Sequence, residues 1–173
     1  MVKRLPAIAF DLETTGLSPL KGHRVIEIGA VRIEAGQPGE TFHSLVDSGR
    51  TIPPNVREIN GITQAMLQNG LSTEKAFRNF RKFCGHATLV AHNAPFDKLF
   101  LQYEYSRFGW GLSNQILCTL KLSRQKLTDL PNYQLETVAK HLLGDTAIEN
   151  MKPHRALDDA RLVAQIWLAL EDK

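Results

Sequence analysis

Along residues 7–14 the chain alternates. Ile8, Phe10 and Leu12 face one way in an extended strand, and Ala7, Ala9, Asp11 and Glu13 face the other. Val25 to Ile33 is a second β-rich run and Thr41 to Val46 a third, with Gly36-Gln37-Pro38-Gly39 between them as a turn. Consecutive strands with short connections predict an antiparallel meander. Further on, the period changes. Ser72 to Phe83 sets Ala76, Phe77, Phe80 and Phe83 at helical spacing behind Ser and Thr caps. Thr88 to Ala91 reads as a short buried strand, and Phe96 to Phe108 as a helix ending at Gly109. Ile116 to Thr119 is a further strand, and Gln134 to Leu143 a helix stopped by Gly144. Arg155 to Leu170 is the final helix. Strands first, then alternating helix and strand, predict an α/β fold: a mixed sheet with helices packed on it. No repeat, low-complexity tract or linker interrupts the pattern, so residues 1–173 read as one domain.

Composition narrows the classes. With 173 residues and 43% hydrophobic content the chain can bury a proper core. No stretch approaches the roughly 20 apolar residues of a membrane span, so no membrane partner is expected. The opening MVKRLPAIAF has two cations, a brief apolar run and no small-residue cleavage site before Asp11, and reads as the first strand instead of a signal peptide. Cys84 and Cys118 form neither a metal quartet nor a disulfide framework. They read as small buried hydrophobes in a reducing, cytoplasmic setting. A formal charge of +3 permits a polyanionic partner without requiring one. The cations Arg78, Arg81 and Lys82, and again Lys121, Arg124 and Lys126, read as solvated helix faces.

The acids carry the chemistry. Asp11 and Glu13 lie two apart on a strand, roughly 6.5–7 Å from each other and on one face. Solvated acids on an edge strand would explain an isolated pair, but here the flanking residues are apolar. Buried like charges repel unless a cation sits between them. In Leu89 to Asp97 a buried strand ends, Asn93 can cap the helix starting near Pro95, and Asp97 falls in its first turn. An acid is favoured there by the helix dipole alone. His92 reads as a core histidine bonded to backbone. On the final helix, Asp159 shares a face with Leu162, Val163, Ile166 and Leu170, a buried stripe, whereas Asp158 lies with Arg161 and Gln165 on a wet face as a salt-bridging residue. His154 precedes Asp159 by five residues, about 140° round an ideal helix. It must therefore sit in the leading loop or first turn, mobile and solvent-accessible as a proton shuttle needs to be. Four carboxylates from three segments, one histidine and no thiolate cluster select Mg²⁺ or Mn²⁺ over Zn²⁺. Two such ions about 4 Å apart suit in-line attack on a phosphodiester.

Taken together, the blocks Phe10-Asp11-Leu12-Glu13-Thr14-Thr15-Gly16-Leu17, Val25 to Ala30, Asn60-Gly61-Ile62-Thr63, Ala91 to Asp97 and His154 to Asp159 resemble the DEDD exonucleases of the histidine subgroup (DEDDh). That family includes the epsilon proofreading subunit of bacterial DNA polymerase III and standalone exonucleases. The match runs through nearly the whole chain, in order and at family-like spacing. The resemblance implies a ribonuclease-H-like fold, a mixed five-stranded sheet flanked by helices. It implies that Asp11 bridges two metals, that Glu13 and Asp159 complete one, and that Asp97 serves the other, partly through water. His154 would deprotonate the attacking water. By position, Thr14, Thr15 and Leu17 would hold the terminal nucleotide, Leu17 as a wedge at the base, with Ile62, Asn93 and Phe96 on the other side. Ordinary core packing is the competing reading for Leu17, Ile62 and Phe96. Asn60 departs from the epsilon-type pattern, which commonly has His before Gly-Ile.

The expected activity is therefore release of nucleoside monophosphates from single-stranded or frayed DNA 3′ ends, in proofreading or repair. Cys118 to Arg124 resembles the DNA exonucleases more than RNA-processing relatives. Two alternatives stand beside it: an RNA or short-oligonucleotide 3′–5′ exonuclease, and a catalytically idle nucleic-acid-binding or polymerase-associated subunit. The chain stops soon after its last helix with no appended polymerase- or clamp-binding tail, which leaves association with a DNA polymerase open.

Overall fold

The computed structural model describes residues 6–149 and 151–171. The opening MVKRL lies outside the described residues; the first strand begins at Ala7. Three antiparallel strands come first: β1 (Ala7–Thr14), β2 (Val25–Glu34) and β3 (Gln37–Asp47). Two short helices, α1 (Pro54–Asn60) and α2 (Gln64–Gln68), lead to the two-residue strand β4 (Leu71–Ser72). The rest alternates: α3 (Thr73–Cys84), β5 (Thr88–Ala91), α4 (Ala94–Ser106), β6 (Ile116–Cys118), α5 (Thr119–Lys126), α6 (Leu135–Leu143) and α7 (Ala156–Glu171). The sheet order is β4-β3-β2-β1-β5-β6, with β5 parallel to both β1 and β6. Five of these strands match the expected number. The sixth is β4, which adds a minimal parallel edge beside Val46 and Asp47.

One expected turn is placed differently. Gln37, Pro38 and Gly39 belong to β3, and the hairpin turns on Ala35 and Gly36 alone, at φ 51° and 77°. Positive φ at both central residues gives the turn whose twist matches paired strands. The missing N–H of Pro38 is tolerated because the register of β2 shifts between Val31 and Ile33, next to its partner. Two helices, α1 and α2, lie where no helix was expected, and α5 carries the exposed cations Lys121, Arg124 and Lys126 that were read as a solvated helix face.

The alternation in β1 divides the molecule into layers. Ile8, Phe10 and Leu12 join Phe77, Phe80, Phe100 and Leu101 in a core under α3 and α4. Ala7 and Ala9 join Val31, Val90, Ala160 and Val163 in a second core under α7. Small residues on that face let α7 approach the sheet closely. The approach is tightest at Gly29, where an added Cβ would come within 2.2 Å of the backbone of Ala156 and Leu157. Cys84 is buried and Cys118 partly so, both as free thiols. Arg78, Arg81, Lys82, Lys121, Arg124 and Lys126 are all exposed. Among the described residues no helix is long and apolar enough to cross a membrane.

Candidate active site

Asp11 and Glu13 project from β1 on the α7 side, just past the small residues that let the helix in. Asp159 comes down to meet them from the first turn of α7, above a stripe in which Val163, Ile166 and Leu170 are fully buried. One carboxylate oxygen from each of Asp11, Glu13 and Asp159 lies within 4.8 Å of the others. Asp158 faces away, paired to Arg161 at 2.8 Å and accepting the Lys152 N–H at 3.2 Å. Asp97 is buried in the first turn of α4 and accepts the backbone N–H of Leu12, which joins it to β1 between the other two acids. Its Oδ1 is buried with no hydrogen-bond partner.

The electrostatics of this arrangement are unfavourable for the protein alone. Burial pushes Asp11 well up, and the neighbouring charges of Asp97 and Asp159 push it further. Burial and then Asp11 raise Glu13 to about 9, against a small opposing hydrogen bond from Asn60. Burial raises Asp159 to about 7, although the His154 N–H bonds its carboxylate. Burial likewise holds Asp97 far above the usual carboxylate range. Among the described residues no ion pair neutralises any of the four. Clustered acids of this kind, with one oxygen orphaned, fit a divalent cation better than any other compensation.

His154 stands in the loop before α7, exposed and in the left-handed region at φ 58°. Its backbone bonds Asp159 and its side chain lines a cleft of about 830 Å³ that Asp159 also lines. The loop position inferred from the helical angle is the one it occupies. Asn93 lines the same cleft. It is left-handed at φ 63° and makes no side-chain cap on α4, contrary to the expectation, since capping goes with extended backbone at that position. His92 is tied to Thr119 Oγ1 at 2.9 Å and to the Tyr133 carbonyl at 2.8 Å, and burial lowers its affinity for a proton. It is a structural histidine that fixes the far wall of the cleft.

The remaining expected nucleotide contacts fall into two groups. Leu17 is 83% exposed at the tip of the turn after β1, free to touch a ligand. Thr14 and Thr15 build that turn: Thr14 Oγ1 donates to the Gly16 carbonyl at 2.7 Å, and Thr15 Oγ1 accepts the Arg24 N–H at 3.0 Å. Gly16 is required because a Cβ there would meet the His23 ring at 2.4 Å. Phe96 is half-buried against Phe100, ring centres 5.1 Å apart. Ile62 is fully buried with Ile26, Ile52 and Leu67. Its side chain packs and is not offered to a nucleotide, so here the packing reading replaces the contact reading.

A model of the exonuclease family (RNase_T) matches residues 8–167, which contain every residue of this site. The chain belongs to that family. Within it, this exonuclease domain is 38% identical over 159 residues to the PolC-type DNA polymerase III of Clostridium perfringens, covering 92% of the chain and 11% of that protein. It is 38% identical over 169 residues to a DNA polymerase III subunit epsilon-like protein of Rhodobacter capsulatus, covering 96% and 24%. Among solved structures, exonuclease X in complex with 5′ overhanging duplex DNA superposes at a TM-score of 0.77 with 26% identity, over 98% of this chain and 92% of that one. The exonuclease domain therefore spans between a tenth and a quarter of these two curated relatives. The ribonuclease-H-like fold expected from the motifs is the fold of these neighbours.

The structure gives two residues of this exonuclease domain roles that the sequence reading did not assign. Asn60 is buried, accepts the Ile62 N–H at 3.0 Å and reaches Glu13 Oε2 at 3.4 Å, so it braces an acid of the site. Glu27 is fully buried and bonded to Arg155, next to His154. A signal for it did exist: a lone carboxylate inside the apolar run Val25 to Ala30 needs a partner.

Proposed function

We propose that the domain is a 3′–5′ exonuclease that hydrolyses the terminal phosphodiester of DNA with two divalent cations, Mg²⁺ or Mn²⁺. The observation that carries this reading is the triplet Asp11, Glu13 and Asp159 within 4.8 Å, with Asp97 beside it and, among the described residues, no ion pair to any of the four. Asp11, Glu13 and Asp159 would hold one cation, and Asp97 with Asp11 the other. Bound cations would supply positive charge that acidifies the attacking water and stabilises the leaving 3′ oxygen. His154 takes the water's proton, a role suited to an exposed imidazole on a loop beside Asp159. Leu17 meets the terminal base by apolar contact, which is sequence-tolerant and allows stepwise release of nucleoside monophosphates. DNA is favoured over RNA because exonuclease X, bound to DNA, shares the fold over nearly the full length of both chains. Association with a DNA polymerase is the setting suggested by the PolC-type relatives, and a cytoplasmic location accompanies it.

The decisive test is digestion of matched 5′-labelled DNA and RNA oligomers with Mg²⁺, with Mn²⁺ and with a chelator. A ladder shortening from the 3′ end of DNA, faster than that of RNA and absent with the chelator, is the expected result. Oligomer binding without release of mononucleotide under any metal would replace this reading with that of an idle binding subunit.

A further inference from the structure

Glu27 lies opposite Glu13 in the β1–β2 register, fully buried, yet its surroundings favour the charged form. Arg155 Nε donates to its two oxygens at 3.1 and 3.2 Å, and Arg155 Nη2 donates to Oε1 at 2.6 Å. The backbone N–H of Ala156 donates to Oε2 at 2.9 Å, and His43 Nε2 lies 2.8 Å from Oε1. Burial pushes this carboxyl up, but the hydrogen bonds from His43, Arg155 and Ala156 outweigh it and hold it at about 2. Ala156 opens α7, so Glu27 satisfies one of the amides that a helix cannot pair internally. Two residues on, Gly29 leaves the gap into which the backbone of Ala156 and Leu157 fits. Strand β2 thus seats the start of α7 with both a charge and a vacancy.

What this seat controls is next to it. His154 adjoins Arg155 and holds a left-handed backbone that a side-chain-bearing residue seldom adopts unaided. It is fixed on one side by Arg155 on Glu27 and on the other by its own N–H on the Asp159 carboxylate. Glu27, Arg155 and His43 border a separate cleft of about 160 Å³, whereas His154 and Asp159 line the larger one. We propose that Glu27 and Arg155 are positioning residues for the hydrolysis: their fork sets the first turn of α7 so that His154 and Asp159 address the same phosphodiester. The inference rests on the reading of His154 as base and Asp159 as ligand. An arginine is needed because only its planar fork can engage both oxygens and fix an angle.

The test compares R155K, R155A, H154A and the R155A/H154A double variant in the whole chain, below the melting point of each and at saturating Mg²⁺ or Mn²⁺. R155K keeps the charge and loses the fork, and it carries the test if R155A does not fold. Both Arg155 variants are expected to lower kcat about 10–100-fold, the usual effect of a residue that orients a ligand of a metal site. The KM for a DNA oligomer should stay within about twofold, and the acidic limb of the pH–rate profile should move. On the H154A background the same change should cost far less, because the group being positioned is gone. Millimolar methylguanidinium should restore part of the R155A rate, since the Arg155 side chain is about a quarter exposed. Wild-type kcat in folded R155K and R155A, or a loss that multiplies fully with that of H154A, would overturn the inference while leaving the exonuclease reading intact. Wild-type kcat in H154A would overturn the reading beneath it.

Discussion

Removing one acid from the site should stabilise the metal-free protein, an unusual outcome for deletion of a buried charged group. Glu13 is the acid to change, as E13Q. In the fold its carboxyl is raised from an ordinary 4.5 to about 9 by burial and by Asp11. The unfolded chain loses this proton above about pH 4.5, whereas the native site keeps it until about pH 9. In that window the native state binds more protons, so stability falls as pH rises. At pH 8 the gap is about three and a half units, or about 5 kcal/mol at 1.36 kcal/mol per unit. Asp11 keeps part of the burden and the contact with Asn60 changes, so about 2 kcal/mol is the expected gain. At about 2–4 °C per kcal/mol for a chain of this size, E13Q should melt about 4–8 °C above wild type in chelator at pH 8. At pH 5 the gain should nearly vanish, since the Glu13 carboxyl then unfolds with almost no loss of its proton and is as uncharged in the fold as the amide that replaces it. Added Mg²⁺ or Mn²⁺ should reverse the order, raising wild type by mass action and the variant little. Paired thermal melts at pH 5 and 8, with and without metal, measure all of this. A gain equal at both pH values, or no gain at pH 8, would refute the raised carboxyl of Glu13, which burial and then Asp11 produce.

The other expectations follow from the same geometry. D159N should lower kcat by orders of magnitude, because a ligand of the cation loses its charge, whereas D158N, on the outer face, should stay within about 0.5 kcal/mol in stability and near wild type in rate. H154A should cost about 10²–10⁴-fold in kcat and weaken the acidic limb of the pH–rate profile, because only neutral imidazole can accept the proton; a lowered melting point with an unaltered profile would mean that His154 merely packs the helix. D11A should abolish turnover and remove most of the metal-induced rise in melting temperature, and an unchanged rise would count against Asp11 as a shared ligand. Glu27, depressed from 4.5 to about 2, contributes stability that is complete above about pH 4.5 and is lost as pH falls toward 2. That amounts to about 3 kcal/mol, and an acid-denaturation curve of E27Q lacking this dependence would confirm it.

The sequence announced its long elements because they repeat a period often enough to be seen. β1 and β2 run apolar on both faces, α3 and α7 bury one face each, all over eight residues or more, and their bounds fall within a residue or two of expectation. Helices of five to seven residues show about two turns of pattern or less, so α1 and α2 passed unseen. The hairpin was misplaced by the familiar weight of Pro and Gly, when Ala35 with Gly36 makes the turn and Pro38 sits where the register already slips.

The site divides along a similar line. An acid that interrupts an apolar stripe is conspicuous, which is why Asp11, Glu13 and Asp159 could be found and Asp158 set aside. A motif match cannot tell a residue that lines a site from one that supports it: Leu17 and Ile62 sit in equally recognisable blocks, yet one is 83% exposed and the other fully buried. Glu27 shows the harder limit. It interrupts an apolar run as plainly as Asp11 does, but its meaning depends on Arg155, 128 residues away, and on a helix start that only the folded chain brings to it. A buried acid in a sequence therefore poses one question with two answers. If a side chain with a matching fork arrives, as Arg155 does at 2.6 Å, the carboxyl is driven down to about 2 and becomes part of the scaffold. If none arrives, as at Glu13 in the paired position on the next strand, it is driven up to about 9 and ionises at neutral pH only when a cation from outside draws it down.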